Sequence, residues 1–367
     1  MQVRVKLLAE EEDIGITRKS ISLSDSVIET PTKLVRPEIT GAQPSGTVGY
    51  EHAKNISDAT LLGLHTDSEF KAKFLRDIKH VKVDPKPQLI HFNLVTPSLP
   101  PVDYTKTLAH TLYSVSGSFV CLPSVRSSIF KSENPVNRTS KFNPKSMENY
   151  LTFQKTVIDA IKLRNNKTIL GIIPLNLPPL LLNPIIDFYY NQEIFHFVID
   201  GNTSSIMNNE TNLRSILDRI KQNSTQAGGS LSTTYIHATN LGLEQFKAND
   251  LPADDLLSLF MYIDSFGITF KTRGRSNKNN SGGPKIIAPR KKLFSREQYV
   301  YRILHNDPTE YTVLRKKNDL AQLEETKFLK DIVGEGEVGK YLQTKDGAAG
   351  PRYKKILNIK SIIKSEK

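Results

Sequence analysis

Apolar residues along this chain come in short blocks, separated by stretches with helical spacing. Val3, Val5 and Leu7 alternate with polar neighbours and 19–23 reads KSISL, so two strands of an opening hairpin are predicted. A strand is predicted at 30–36, beginning on Thr30-Pro31, and another at 59–64. The Gly/Pro-punctuated TGAQPSGTVGY before it reads as loop. Six further apolar runs read as strands, at 88–95, 118–125, 168–175, 195–200, 232–239 and 262–270. Helical spacing appears at 67–79, where Phe70, Phe74, Leu75 and Ile78 share a face. It appears again at 144–163, 182–192, 209–222 and 253–261. Asn209-Glu210 and Asp254-Asp255 stand near two of these starts, where they can satisfy free backbone N–H groups. Residues 294–333 pattern as a charged helical region and 334–355 as a Gly-rich, irregular appendix.

Near-continuous apolar strands interleaved with helices imply a parallel sheet covered on both faces. About eight such units favour a closed (β/α)8 barrel of the TIM type over an open doubly wound sheet. The expected organisation is a hairpin at 1–28, the barrel at 29–293 and a helical, basic extension at 294–367. No GxGxxG or P-loop stands at any strand–helix turn, which takes away the sequence support for a dinucleotide or NTP site.

Composition narrows the classes further. A single cysteine, Cys121, rules out an intramolecular disulfide framework and any multi-cysteine zinc cluster, and no stoichiometric structural zinc or other cofactor is expected. The longest apolar stretch, 169–188, is broken by Pro174, Pro178, Pro179, Pro184 and Asp187, so no membrane span is expected. The N-terminus carries no export pattern, and the expected location is cytoplasmic. Formal net charge is +12, and its placement matters more than its size. Residues 271–292 hold eight Lys/Arg and no acid. They read either as solvated surface or as a nucleic-acid contact made by Lys271, Arg273, Arg275, Lys278, Arg290, Lys291 and Lys292.

Functional groups of a barrel sit at the C-terminal ends of its strands. That rule selects Asn93, Asp200, Asn202, His237, Asn240 and Asp264. Asp264 lies in YIDSFGITF, an apolar run in which an ionised carboxylate is costly without partners. It reads either as a reactive group or as a strand-end cap. Asp200 precedes Gly and Asn and reads equally as an Asx turn. His237 reads as a core histidine or an acid–base group, Asn240 as a cap or turn residue, and Cys121 as a small core residue.

Three stretches carry a resemblance to a family. SDSVIETPTKLVRP at 24–37, STTYIHATNLG at 232–242 and PADDLLSLFMYIDSFGITF at 252–270 resemble segments of the tRNA-guanine transglycosylase superfamily. That superfamily includes queuosine and archaeosine tRNA enzymes and DNA-acting relatives. The resemblance implies a (β/α)8 barrel entered by a hairpin. It also implies exchange of a guanine for a 7-deazaguanine base in tRNA or DNA, through a covalent Asp–ribose intermediate. On this match Asp264-Ser265 takes the nucleophile position, with Asp200 or His237 supplying acid–base function. Asn93, Asn202 and Ser265 would line the substrate pocket, and Lys271, Arg273 and Arg275 would hold phosphates. The departures are specific. Where the family has a second Asp, this chain has Val115 by letters, or His91 or Asn93 by strand count. The family's Cys/His zinc site cannot form with one cysteine. An alternative reading is therefore a non-catalytic nucleic-acid-binding paralogue, working alone or in a homo- or hetero-oligomer with a related barrel.

Overall fold

A computed structural model describes residues 3–23, 26–37, 43–79, 86–130, 143–164, 167–243, 250–269 and 291–364. The fold is mixed α/β, built on a curled six-stranded parallel sheet. In spatial order its strands are Thr32–Lys33, Ser265–Phe266, Ile236–Thr239, Phe197–Asp200, Thr168–Pro174 and Phe119–Cys121. A second parallel sheet orders Tyr50–Ile56, Gln88–Leu94 and Ser124–Val125. Two features link them. Val35 bridges Tyr50 in parallel, and only Leu122 and Pro123 separate Phe119–Cys121 from Ser124–Val125. The apolar strands pack into one large core cluster with the helices between them.

Local chemistry explains where the helices begin. Asn143 caps the Pro144–Lys162 helix by accepting from Lys145 N at 3.0 Å, and Pro144 follows where its missing N–H is harmless. Its buried face, Met147, Tyr150, Gln154, Val157 and Ile161, keeps the helical period. The strand expected at 59–64 is instead the Asp58–Thr66 helix. Ser57 accepts from Thr60 N at 3.2 Å, and Leu61 and Leu64 bury one face of it. The strand of that unit lies earlier, at Tyr50–Ile56, next to the stretch expected as loop.

The opening hairpin is a three-stranded antiparallel sheet of Arg4–Glu10, Thr17–Ser22 and Val27–Glu29. The region 294–333 contributes the Val300–Ile303 strand and the Tyr311–Ile332 helix. Val300–Ile303 pairs with both Lys292–Ser295 and Asp250–Pro252, so the boundary placed at 293 falls inside a strand. The appendix at 334–355 contains the Val338–Gln343 helix and the start of the Pro351–Lys364 helix. Lys360 of that last helix reaches back to the hairpin, bonding Glu10 Oε1 at 2.6 Å and Glu11 O at 3.0 Å. No helix among the described residues is long and apolar enough to cross a membrane.

Candidate functional site

Side chains alternate between the two faces of a strand, and the register fixes which ones share a face. His237 is in register with Ser265. His237, Thr239, Ser265 and Gly267 therefore point one way, and Asp264 and Phe266 the other. Glu51 lies on the first of these faces, accepting from Thr239 Oγ1 and, at 2.8 Å, from Ile268 N. Gly267 is required there, because a Cβ would overlap the Glu51 carboxylate.

A continuous polar path crosses this interior. Tyr235 Oη lies 2.7 Å from Ser265 Oγ, which lies 2.8 Å from His237 Nδ1. His237 Nε2 is 3.4 Å from Glu51 Oε2, and His91 Nε2 is 3.2 Å from Glu51 Oε1. His91 Nδ1 then meets Cys121 Sγ at 3.2 Å. The two imidazoles stack at 6.0 Å, 16° from parallel. Glu51, His91 and His237 are all at most 1% exposed.

Burial pushes the Glu51 carboxyl up, but the His237 and His91 rings outweigh it and hold the group far below the usual carboxylate range. Burial works against the charged His91 ring, yet Cys121 and Glu51 raise it well above an ordinary histidine. Burial lowers His237, against the pull of Glu51. One buried carboxylate thus faces two imidazoles, with His91 biased toward its charged form and His237 toward its neutral one. The ligating atoms of Glu51, His91 and His237 lie within 4.8 Å of one another, the one set among the described residues with the chemistry to hold a metal.

A second polar layer lies at the C-terminal strand ends. Asn55 is in register with Asn93, and Asn93 with Ser124. Asn93 Nδ2 donates to Asn55 Oδ1 at 3.4 Å. Asp200 accepts from Ser124 Oγ, from Asn240 Nδ2 at 3.2 Å and from Asn202 N at 2.8 Å. Asn202, Thr203 and Asn240 have φ of 45°, 65° and 53°, left-handed conformations that non-glycine residues seldom adopt and that cluster at functional sites. Asn240 Oδ1 is buried without a hydrogen bond.

The sequence-selected residues thus divide. Asp200, Asn93, Asn202 and Asn240 come together at the strand ends, with Asn202 closing an Asx turn through its backbone. His237 and Ser265 belong to the interior path. Asp264 joins neither group, and its expected position at a C-terminal strand end is corrected. It is the residue before the Ser265–Phe266 strand and faces the hairpin. Lys19 Nζ sits 2.9 Å from Oδ1 and 3.1 Å from Oδ2, and Thr17 Oγ1 and Ile236 N donate at 3.2 and 2.8 Å. Burial pushes the Asp264 carboxyl up, against the lowering by Lys19, Ile236 N and Thr17. Val115 ends the Val102–Val115 helix, away from any strand.

Lys271, Arg273, Arg275, Lys278 and Arg290 lie outside the described residues. Lys291 donates to Asp307 O, and Lys292 Nζ stands 4.1 Å above the Tyr301 ring. A cavity of about 610 Å³ opens at the N-terminal strand ends, lined by Val3, Lys167, Thr168, His196 and Thr233, remote from the strand-end layer. Glu51 was missed in the sequence, because the polar YEHAKNI lacks the apolar run that marks its neighbours. No family model matches this chain, and no curated protein matches it.

Proposed function

We propose that the chain is a (β/α)8 barrel that binds a purine-type base, presented by nucleic acid, at its C-terminal strand ends. Closure is supported by counting Phe119–Val125 as one strand interrupted at Pro123 and by the Val35–Tyr50 bridge, which together link eight parallel strands in a ring.

The observation carrying the functional reading is the Asp200 layer. A guanine-type base offers N–H donors beside carbonyl and ring-nitrogen acceptors. Asp200 uses three of its roughly four acceptor positions on Ser124, Asn240 and Asn202. The remaining position, the free Asn240 Oδ1 and the Asn55–Asn93 amides supply complementary acceptors and donors. The basic 271–292 stretch begins two residues after Thr269, whose Oγ1 is tied to Leu241 O at 2.5 Å beside this layer. That order supports tRNA or DNA as the carrier of the base. Of the two readings implied by the transglycosylase resemblance, the Lys19 ion pair favours the binding paralogue over base exchange. An Asp264 neutralised by a lysine on the hairpin side is poorly set to attack a ribose beside Asp200.

The test is calorimetric titration of the full chain with guanine, a 7-deazaguanine and cytosine, and with tRNA and duplex DNA. Purine binding that Asp200→Asn removes is the expected result. Absence of binding to every base and nucleic acid would overturn the proposal. A covalent nucleic-acid adduct on a denaturing gel, lost in Asp264→Asn, would replace it with the base-exchange reading.

A further inference from the structure

The Glu51–His91–His237 set brings two imidazoles and one carboxylate to a single buried point. Both imidazoles turn Nε2, not Nδ1, toward one carboxylate, and the two N–O separations are 3.2 and 3.4 Å. Two donors held ~2.0–2.1 Å from a tetrahedral zinc stand about 3.3 Å apart, a spacing that both N–O separations match. His237 Nε2 is completely buried and meets no polar partner but the Glu51 carboxylate, at 3.4 Å.

The outer contacts match as well. A metal-bound histidine almost always commits its other ring nitrogen to a partner that fixes tautomer and ring angle. Here His237 Nδ1 is committed to Ser265 Oγ, itself tied to Tyr235, and His91 Nδ1 to Cys121 Sγ. The carboxylate is oriented by Thr239 Oγ1 and Ile268 N. Each of the three side chains is therefore fixed from behind, with both Nε2 atoms and the carboxylate turned toward one another.

We propose that Glu51, His91 and His237 are the protein ligands of one zinc-class divalent ion in the interior. The fourth position falls to the second carboxylate oxygen or to a water. Cys121 is a positioning residue in this site and not a ligand, because its sulfur sits behind the His91 ring. Coordination replaces the two imidazole–carboxylate contacts with three coordinate bonds and releases the proton on His91 Nε2 to solvent, and the ion stands beneath the strand-end layer without belonging to it. The assignment does not depend on what that layer binds.

Elemental analysis of untagged, full-length protein after desalting tests the site, together with readdition of Zn²⁺ or Co²⁺ to chelator-treated protein. About one metal equivalent per chain is expected. The Co²⁺ form should show tetrahedral d–d absorption without a sulfur-to-cobalt charge-transfer band. Glu51→Gln and His237→Gln should each lose metal affinity by 10-fold or more. Cys121→Ser should weaken it by about 10–100-fold while leaving the cobalt spectrum in place, as expected for an outer-shell partner. If the ligand variants do not fold, the wild-type stoichiometry and cobalt spectrum decide. Wild-type protein that retains no metal and takes none up on readdition overturns the proposal. So does a thiolate band, or metal bound equally well by folded Glu51→Gln. None of these results bears on purine binding, which is measured separately.

Discussion

Lys19 Nζ and Asp264 Oδ1 meet at 2.9 Å, with both side chains at most 2% exposed, and that contact ties the opening hairpin to the start of a sheet strand. Lys19 also donates to Thr234 O at 2.8 Å, so its charge is satisfied from two directions. Removing one partner of a buried, hydrogen-bonded pair leaves the other uncompensated and costs about 3–5 kcal/mol. Lys19→Met and Asp264→Asn should each destabilise by that order in urea denaturation. The double variant should cost clearly less than the sum of the two. Additive losses would show that the pair does not act as a unit.

Histidine 196 gives the fold a pH dependence. Its Nδ1 accepts from Tyr235 N at 3.2 Å, which requires that nitrogen unprotonated. Burial, with Lys19 nearby, lowers the ring from 6.5 to about 4. The folded value lies below the unfolded one, so this stabilisation is present above pH 6.5 and is lost as pH falls toward about 4. The loss should reach about 3 kcal/mol. His196→Gln should flatten the pH profile of the denaturation midpoint over that window, and an unchanged profile would assign the acid sensitivity elsewhere.

Glycine 267 leaves room for the Glu51 carboxylate. Gly267→Ala should displace the carboxylate from Ile268 N and both imidazoles, destabilising by about 3 kcal/mol or more. Equilibrium unfolding measures this, and a loss below about 1 kcal/mol would mean that the interior relaxes around the added methyl.

The basic stretch is tested by salt. Replacing Lys271, Arg273, Arg275 and Lys278 with Gln should weaken nucleic-acid binding. Each lost phosphate contact should reduce the log–log salt slope by about 0.9 on duplex and 0.7 on single strands. An unchanged slope would leave these residues as solvated surface.

The parallel strand–helix alternation was legible because strands such as TILGIIP and FVID are apolar on both faces. That same feature hid the rest. A run without alternation says nothing about which face a residue takes, so Asp264 could not be assigned to the hairpin side by its letters. Tyr50–Ile56 was overlooked because its inward Glu51 replaces an apolar residue with a charge. The ligand set itself comes from three strands far apart in sequence, with no spacing motif to join them. By contrast, the rule that looks to C-terminal strand ends selects Asp200, Asn93 and Asn202, which do come together in one layer.

The bond from Lys360 to Glu10 spans 350 residues, and this has a consequence for synthesis on the ribosome. At about 5–20 residues per second, Glu10 waits roughly 20–70 s for its lysine to be made. For that interval the hairpin can hold its own antiparallel pairing and its bonds to Thr168, Thr234, Asp264 and Gly334 as each is made, but not the bond to Lys360. The hairpin is therefore docked stepwise, and the Lys360 bond is added only after the Pro351–Lys364 helix has left the exit tunnel.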